Sequence, residues 1–234
     1  MAAVRTLKVV AAFAVVCVAG AAQAQINNGS FETGDYTGWT LFEDSGEASL
    51  GTWGIAASGQ TINPLELTFD FFDGLLVEQN SAGLPRTYAP TDGNFMAYQL
   101  QNAPETHRMY QDVALATNTT TLSWDMFYQD HGGVFDPVTQ YLRVAIMDLS
   151  DNILSTLFLT SPGDPQSIPM SAFSGDISAF AGTTVRVDVT MQVQDFYFDA
   201  GFDDFRVVGA VPEPASLALL ALGLAGLGFS RRKQ

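Results

Sequence analysis

The chain is predicted to be all-β, a single two-sheet β-sandwich of the jelly-roll type. An N-terminal signal helix and a C-terminal hydrophobic helix flank it. Three observations predict this. Val185, Val187, Val189, Met191 and Val193 alternate with Arg186, Asp188, Thr190, Gln192 and Gln194, the period of a strand with one buried face. Turn chemistry breaks the chain repeatedly, at Asp92-Gly93-Asn94, His131-Gly132-Gly133, Ser150-Asp151-Asn152 and Pro162-Gly163-Asp164-Pro165. No window between the two ends carries a sustained helical period.

The elements follow in order. Residues 1–24 read as a signal peptide. Arg5 and Lys8 are its basic start and 9–22 its uncharged stretch, and Ala22-Gln23-Ala24 is a small-x-small cleavage site that makes Gln25 the mature start. Cys17, the sole cysteine, leaves with it, so no disulfide framework or Cys-rich zinc site is available. Residues 25–210 form the sandwich. Strands are expected over 39–42, 47–57, 66–72, 75–79, 94–101, 109–115, 122–129, 142–146, 152–160, 185–194 and 202–208, and the Pro/Gly-rich stretch 161–169 is too short and too embedded to be a domain boundary. About ten short strands with such punctuation make a two-sheet sandwich or jelly roll. Residues 211–234 form a separate tail: Val211-Pro212-Glu213-Pro214, an uncharged run 215–229, then Arg231, Arg232 and Lys233. Fifteen residues of helix span roughly 22 Å at 1.5 Å per residue, a short transmembrane helix against a ~30 Å hydrocarbon core. The basic end stays cytoplasmic.

Charge is divided along the same lines. The full chain has a net charge of −15, with 25 acidic and 10 basic residues. Region 25–210 holds 24 of the acidic residues and only Arg86, Arg108, Arg143, Arg186 and Arg206, giving 5 − 24 = −19. That excludes a nucleic-acid partner, which would need a positive surface. It favours a neutral polysaccharide, or one bridged by divalent cations. No Gly-x-Ser-x-Gly elbow, His-Glu-x-x-His motif, phosphate-binding glycine loop or cysteine nucleophile is present, so the chain is read as non-enzymatic. A pair of glycoside-hydrolysing carboxylates among so many acids carries no information. His107, beside Arg108, reads as an exposed loop residue. Glycan binding calls for exposed aromatics beside carboxylates and amides. The candidates are Trp53, set among small residues, and Tyr128, Asp130 and His131 at the 130–138 loop. Trp39 and Trp124 are assigned to the core.

Two resemblances rest on particular residues. The order Pro212-Glu213-Pro214, apolar helix, Arg231-Arg232 resembles the PEP-CTERM sorting signal of Gram-negative bacteria. That resemblance implies Sec export, recognition by an exosortase (a membrane cysteine transpeptidase), membrane attachment through the helix until processing, and a place at the cell surface or in extracellular matrix. Asn28-Gly29-Ser30-Phe31-Glu32 with Gly38-Trp39, Gln111-Asp112-Val113, 176–182 and Gly201-Phe202-Asp203-Asp204-Phe205-Arg206-Val207 together resemble secreted galactose-binding-like jelly rolls, among them carbohydrate-binding modules. This second resemblance implies carbohydrate binding and a structural calcium held by Glu32, Asp203 and Asp204. Alternation independently places Asp203 on the face of Phe205 and Val207, where a carboxylate needs a partner or a metal. A structural adhesion module without a glycan pocket and a glycoside-active jelly roll are the alternatives.

Overall fold

The computed structural model describes residues 25–43, 52–62, 86–87, 89–101, 104–195 and 197–209. Twelve strands are present: β1 Thr40–Glu43, β2 Thr52–Ala57, β3 Thr61–Ile62, β4 Arg86–Thr87, β5 Phe95–Gln101, β6 Glu105–Ala114, β7 Thr119–Asp130, β8 Tyr141–Met147, β9 Ile153–Leu159, β10 Ser167–Asp176, β11 Thr184–Val193 and β12 Phe198–Gly209. Ten of them form two five-stranded antiparallel sheets. Sheet A has the order β1-β6-β11-β8-β9 and sheet B the order β10-β7-β12-β5-β2, while β3 and β4 pair separately. The all-β jelly-roll sandwich is therefore present, and its one described helical element is a 3-10 turn, Ser178–Phe180. Both flanking helices and the strands expected at 66–72 and 75–79 lie outside the described residues.

Each sheet turns one row of side chains inward. Val185, Val187, Val189, Met191 and Val193 of β11 are buried, as are Leu142, Val144 and Ile146 of β8. They meet Leu122, Trp124, Met126 and Tyr128 of β7 and Phe198, Ala200, Phe202 and Phe205 of β12 in one core. The N-terminal segment 25–39 closes one end by inserting Phe31 and Trp39, which stack at 5.7 Å between ring centroids. A second buried cluster of Ala56, Met96, Tyr98, Leu100 and Phe127 lies on the opposite face of sheet B. Gly201 faces it, where a Cβ would sit 2.2 Å from Phe127 and 2.6 Å from Met96.

Three expectations are corrected. No strand is expected between 160 and 185, yet β10 spans Ser167–Asp176. This strand is an edge, where Pro169 has no ladder bond to supply, and its register shifts between Ile168 and Ser171. His107 is fully buried, not an exposed loop residue: β6 starts at Glu105, and His107 shares the inward row with Met109 and Val113. Finally, Asp203 does not share a face with Phe205. Asp204 adopts a left-handed φ of +53°. The register of β12 against β7 shifts between Asp203 and Arg206, a bulge that sends both Phe202 and Phe205 inward.

Candidate functional site

Two regions carry unusual chemistry. The first is the end of the sandwich that holds Glu32, Asp203 and Asp204. A cavity of about 730 Å³ is lined by the N-terminal segment (Gln25, Ile26, Asn28, Gly29, Ser30, Glu32), Asp92, and β12 from Asp204 to Gly209. Asp203 is fully buried beside it. Its Oδ2 accepts from the backbone N–H of Thr91 (2.6 Å) and Asp92 (3.0 Å) and from the Thr91 hydroxyl (3.1 Å), while Oδ1 accepts from the N–H of Asp204 (2.7 Å). Burial pushes its carboxyl up to about 6 despite these donors. Glu32 Oε1 accepts from the N–H of Asn94 (2.7 Å) and Phe95 (2.8 Å). It lies over Gly93, where φ is +69° and a Cβ would fall 2.1 Å from the Glu32 carboxyl carbon. Asp204 Oδ2 pairs with Arg206 Nη2 at 2.7 Å, and burial raises its carboxyl.

Glu32 and Asp204 line the same cavity, and Asp203 is buried beside Asp204. Two of the three bind the 91–95 turn to the rest of the fold through N–H donors. A cation is repelled by the positive end of an N–H dipole, and Asp203 Oδ2, with three donors, has no lone pair left for one. Among the described residues no three His, Cys, Asp or Glu side chains are grouped as a metal centre would require. As placed, this donor set does not fit a calcium ion. Millimolar calcium is accordingly expected to leave the melting temperature unchanged. A rise of several degrees, reversed by chelator, would show that these carboxylates regroup around the ion.

The glycan candidates are placed differently from expectation. Trp53 is 6% exposed and packs in the core against Phe202 and Tyr36. Tyr128 is 2% exposed and meets Phe135, Phe158 and Phe198. A ring sealed in the core offers no face to a sugar, so both are corrected to structural roles. Asp130, also buried, accepts from Gly132 N–H and Gln140 Nε2, and burial raises its carboxyl. Half-buried His131 lies 3.8 Å from Asp199. These two shape the 131–140 loop.

The second region is the outer face of sheet A, which the sequence reading missed as a unit. Cross-strand register sets its side chains in rows. One row runs Phe42, Arg108, Thr190, Arg143, Leu159; the next runs Thr40, Tyr110, Asp188, Ala145, Thr156; Thr106, Gln192 and Tyr141 form another beside the first. Three of the five arginines in 25–210 thus stand on this face. Asp188, fully buried beneath them, pairs with Arg108 (2.7 Å) and Arg143 (3.5 Å) and accepts from Thr190 (2.6 Å). Arg186 forks onto Asp112 and reaches Asp151, and its guanidinium lies 4.0 Å from the Tyr110 ring centroid. Hydrogen bonds from Arg108 and Arg186 hold the Asp151 carboxyl below the usual range. Phe42, at the edge, is 47% exposed. The paired charges fix the side chains without leaving a net charge: Arg108, Arg143 and Arg186 balance Asp112, Asp151 and Asp188. A usable signal was present in the alternation of Arg186, Asp188, Thr190 and Gln192, but the strand order that joins them to β6 and β8 was not.

Comparison with known proteins adds the tail. A family model described as the PEP-CTERM protein-sorting motif matches residues 210–233. No curated protein matches the chain by sequence. Among solved structures, the chain is similar to the module TmCBM61 in complex with β-1,4-galactotriose, with 10% identity, 81% of this chain and 100% of that one covered, and a TM-score of 0.47. It is also similar to the K3 cleaved adhesin domain of Lys-gingipain from Porphyromonas gingivalis, with 13% identity, 80% and 100% covered, and a TM-score of 0.46. A third is a carbohydrate-binding module of the β-sandwich superfamily, with 11% identity, 80% and 63% covered, and a TM-score of 0.44. The sandwich assignment rests on the sheets themselves. At these identities the likeness transfers neither ligand nor activity.

Proposed function

We propose that this is an exported protein, cleaved at its PEP-CTERM motif by an exosortase after Sec export across the inner membrane of a Gram-negative cell. Its sandwich then serves without catalysis at the cell surface or in extracellular matrix, binding neutral polysaccharide along the outer face of sheet A. The sorting motif supports the first half of this reading. The observation that carries the second is the ordered set of Phe42, Arg108 and Arg143 beside Tyr141, Gln192 and Thr106, held in place over the buried Thr190 and Asp188.

This face is preorganised. Sugars present hydroxyls that both donate and accept, and apolar C–H faces that pack on aromatic rings. A sheet face whose guanidinium and amide groups are already held by neighbours supplies those partners with little further ordering cost. The face is locally neutral while the 25–210 region as a whole is −19, so it favours an uncharged polymer over an anionic one. Phe42, half exposed on the edge strand, is the ring free to meet a sugar. Phe42→Ala is expected to weaken binding of the preferred polysaccharide about tenfold by titration calorimetry, with the melting temperature kept. Equal affinity would remove this face from the account.

A further inference from the structure

We infer that the last four residues of β12, Arg206–Gly209, form a release tab that unzips to admit the sorting protease. This inference rests on the reading of the tail as a processed PEP-CTERM signal. The match to that motif begins at residue 210, immediately after β12 ends at Gly209. No spacer separates the folded wall from the signal. Pro212 follows Gly209 by three residues, at most about 11 Å of extended chain. A protease takes its substrate as extended backbone in a cleft. The end of a two-sheet sandwich cannot enter a cleft alongside it.

The strand is built so that its end can open. From Phe198 to Phe202, β12 is paired on both sides, with β5 and with β7. Beyond the left-handed Asp204 the β5 pairing has stopped. The Phe205 N–H turns instead to the Gly29 carbonyl at 3.0 Å. Arg206–Gly209 then pair with β7 alone among the described residues, and a second register shift falls between Val208 and Gly209. Arg206 and Val208 are exposed, and Val208 is held by a 3.1 Å hydrogen bond from the Thr120 hydroxyl to its carbonyl. One-sided pairing, an exposed side-chain hydrogen bond and a bulge as hinge are the features of a low-stability opening unit, which here must also lift part-buried Val207 off the core. Phe205, which the core holds, stops the unzipping from spreading. When opening and closing are fast relative to cleavage, the processing rate follows the open population. The chemistry of cleavage is the enzyme's: the scissile carbonyl carbon passes to its nucleophile, and the helix departs as the free amine.

The test uses the full chain in a host that processes it, with mature mass and processing rate read by pulse-chase and mass spectrometry. A flexible Gly-Ser spacer of about eight residues inserted after Gly209 is expected to speed processing several-fold. Thr120→Val, which removes the bond to Val208 and keeps the strand shape, should speed it in the same direction. Backbone amides of Val207–Gly209 should exchange faster than those of Ala200–Phe202 in both the parent and the spacer variant. An unchanged or slower rate with the spacer overturns the release tab. Replacing Pro212-Glu213-Pro214 with alanines separates this from the sorting reading. Loss of processing there keeps the sorting reading whatever the spacer does, while unaltered processing overturns both.

Discussion

Phe205→Ala is expected to destabilise the fold by about 3 to 5 kcal/mol, the range for removing a buried large aromatic. The ring is 2% exposed and lies where three parts of the chain meet. Its centroid is 5.1 Å from Trp39 and 6.5 Å from Phe31 of the N-terminal segment, 6.4 Å from Trp124 of β7, and 6.3 Å from Phe202 of its own strand. Aromatic neighbours are rigid plates and cannot collapse into the space left behind, so the cavity term stays near its upper end. The Asp204 bulge adds to this, because it exists to turn Phe205 inward. Chemical denaturation with near-UV circular dichroism reads the effect. A loss below about 1 kcal/mol would mean that the N-terminal segment is not docked on β12.

The second large effect concerns pH, and it is expected to be visible only in variants. Asp203 has its carboxyl raised by burial from 3.8 to about 6, so between those values the folded state holds a proton that the unfolded state has lost. Stability from this group is present at low pH and lost as pH rises through about 6. His107 acts oppositely. Burial lowers it from 6.5 to about 4, so between those values the unfolded state is the one carrying the proton, and stability is lost as pH falls. Each group contributes on the order of 3 kcal/mol across its window, and in the parent protein the two oppose each other between about pH 4 and 6. Asp130 and Asp204 are raised like Asp203 and add in the same sense. Asp35, Asp148, Asp151 and Asp176 are lowered, so their contribution is lost only as pH falls below 3.8.

Substitution should separate the two groups. His107→Gln leaves a protein whose stability rises by about 2 to 3 kcal/mol on acidification from pH 7 to 4.5. Asp203→Asn leaves one whose stability falls over the same range. Denaturant midpoints at the two pH values decide it, and slopes of the same sign in both variants would contradict the burial argument. Asp203→Asn has a further consequence. Asn keeps one oxygen for the Thr91 and Asp92 donors but turns an amide toward the Asp204 N–H, so this variant is also less stable than the parent at pH 4.5.

Particular residues show what the sequence could carry. The ten-residue alternation of β11 gave the direction of its two faces correctly, although Asp188 and Thr190 on the polar face are themselves buried beneath the arginines. Trp39 and Trp124 were rightly placed in the core. Trp53 misled for a definite reason. Its small neighbours read as unlike a core, whereas Gly54 is small because a Cβ there would lie 2.3 Å from the Tyr98 ring. A close approach between strands and an exposed turn use the same residue type, and only the partner tells them apart. His107 misled because a polar residue on an inward row breaks the hydrophobic pattern at the point where the pattern is being counted. Inside, it meets Gln101 Oε1 at 2.9 Å and Glu105 Oε2 at 3.4 Å. The sheet A face was invisible in a different way. The outward positions of β11 were legible, but Thr106 and Arg108 lay outside the strand expected at 109–115, and β6 and β11 are separated by 80 residues at the contact of Arg108 with Asp188. Strand order, which local pattern does not encode, makes three scattered arginines into one surface.

The central claim, that this face binds a neutral polysaccharide, is tested most directly by affinity electrophoresis. The purified protein is run through native gels cast with neutral or acidic polysaccharides. Retardation by at least one neutral polymer is expected, with little change between low and physiological salt and relief of that retardation in Phe42→Ala. Migration unaltered by every neutral polymer, or retardation that persists fully in Phe42→Ala, would contradict it.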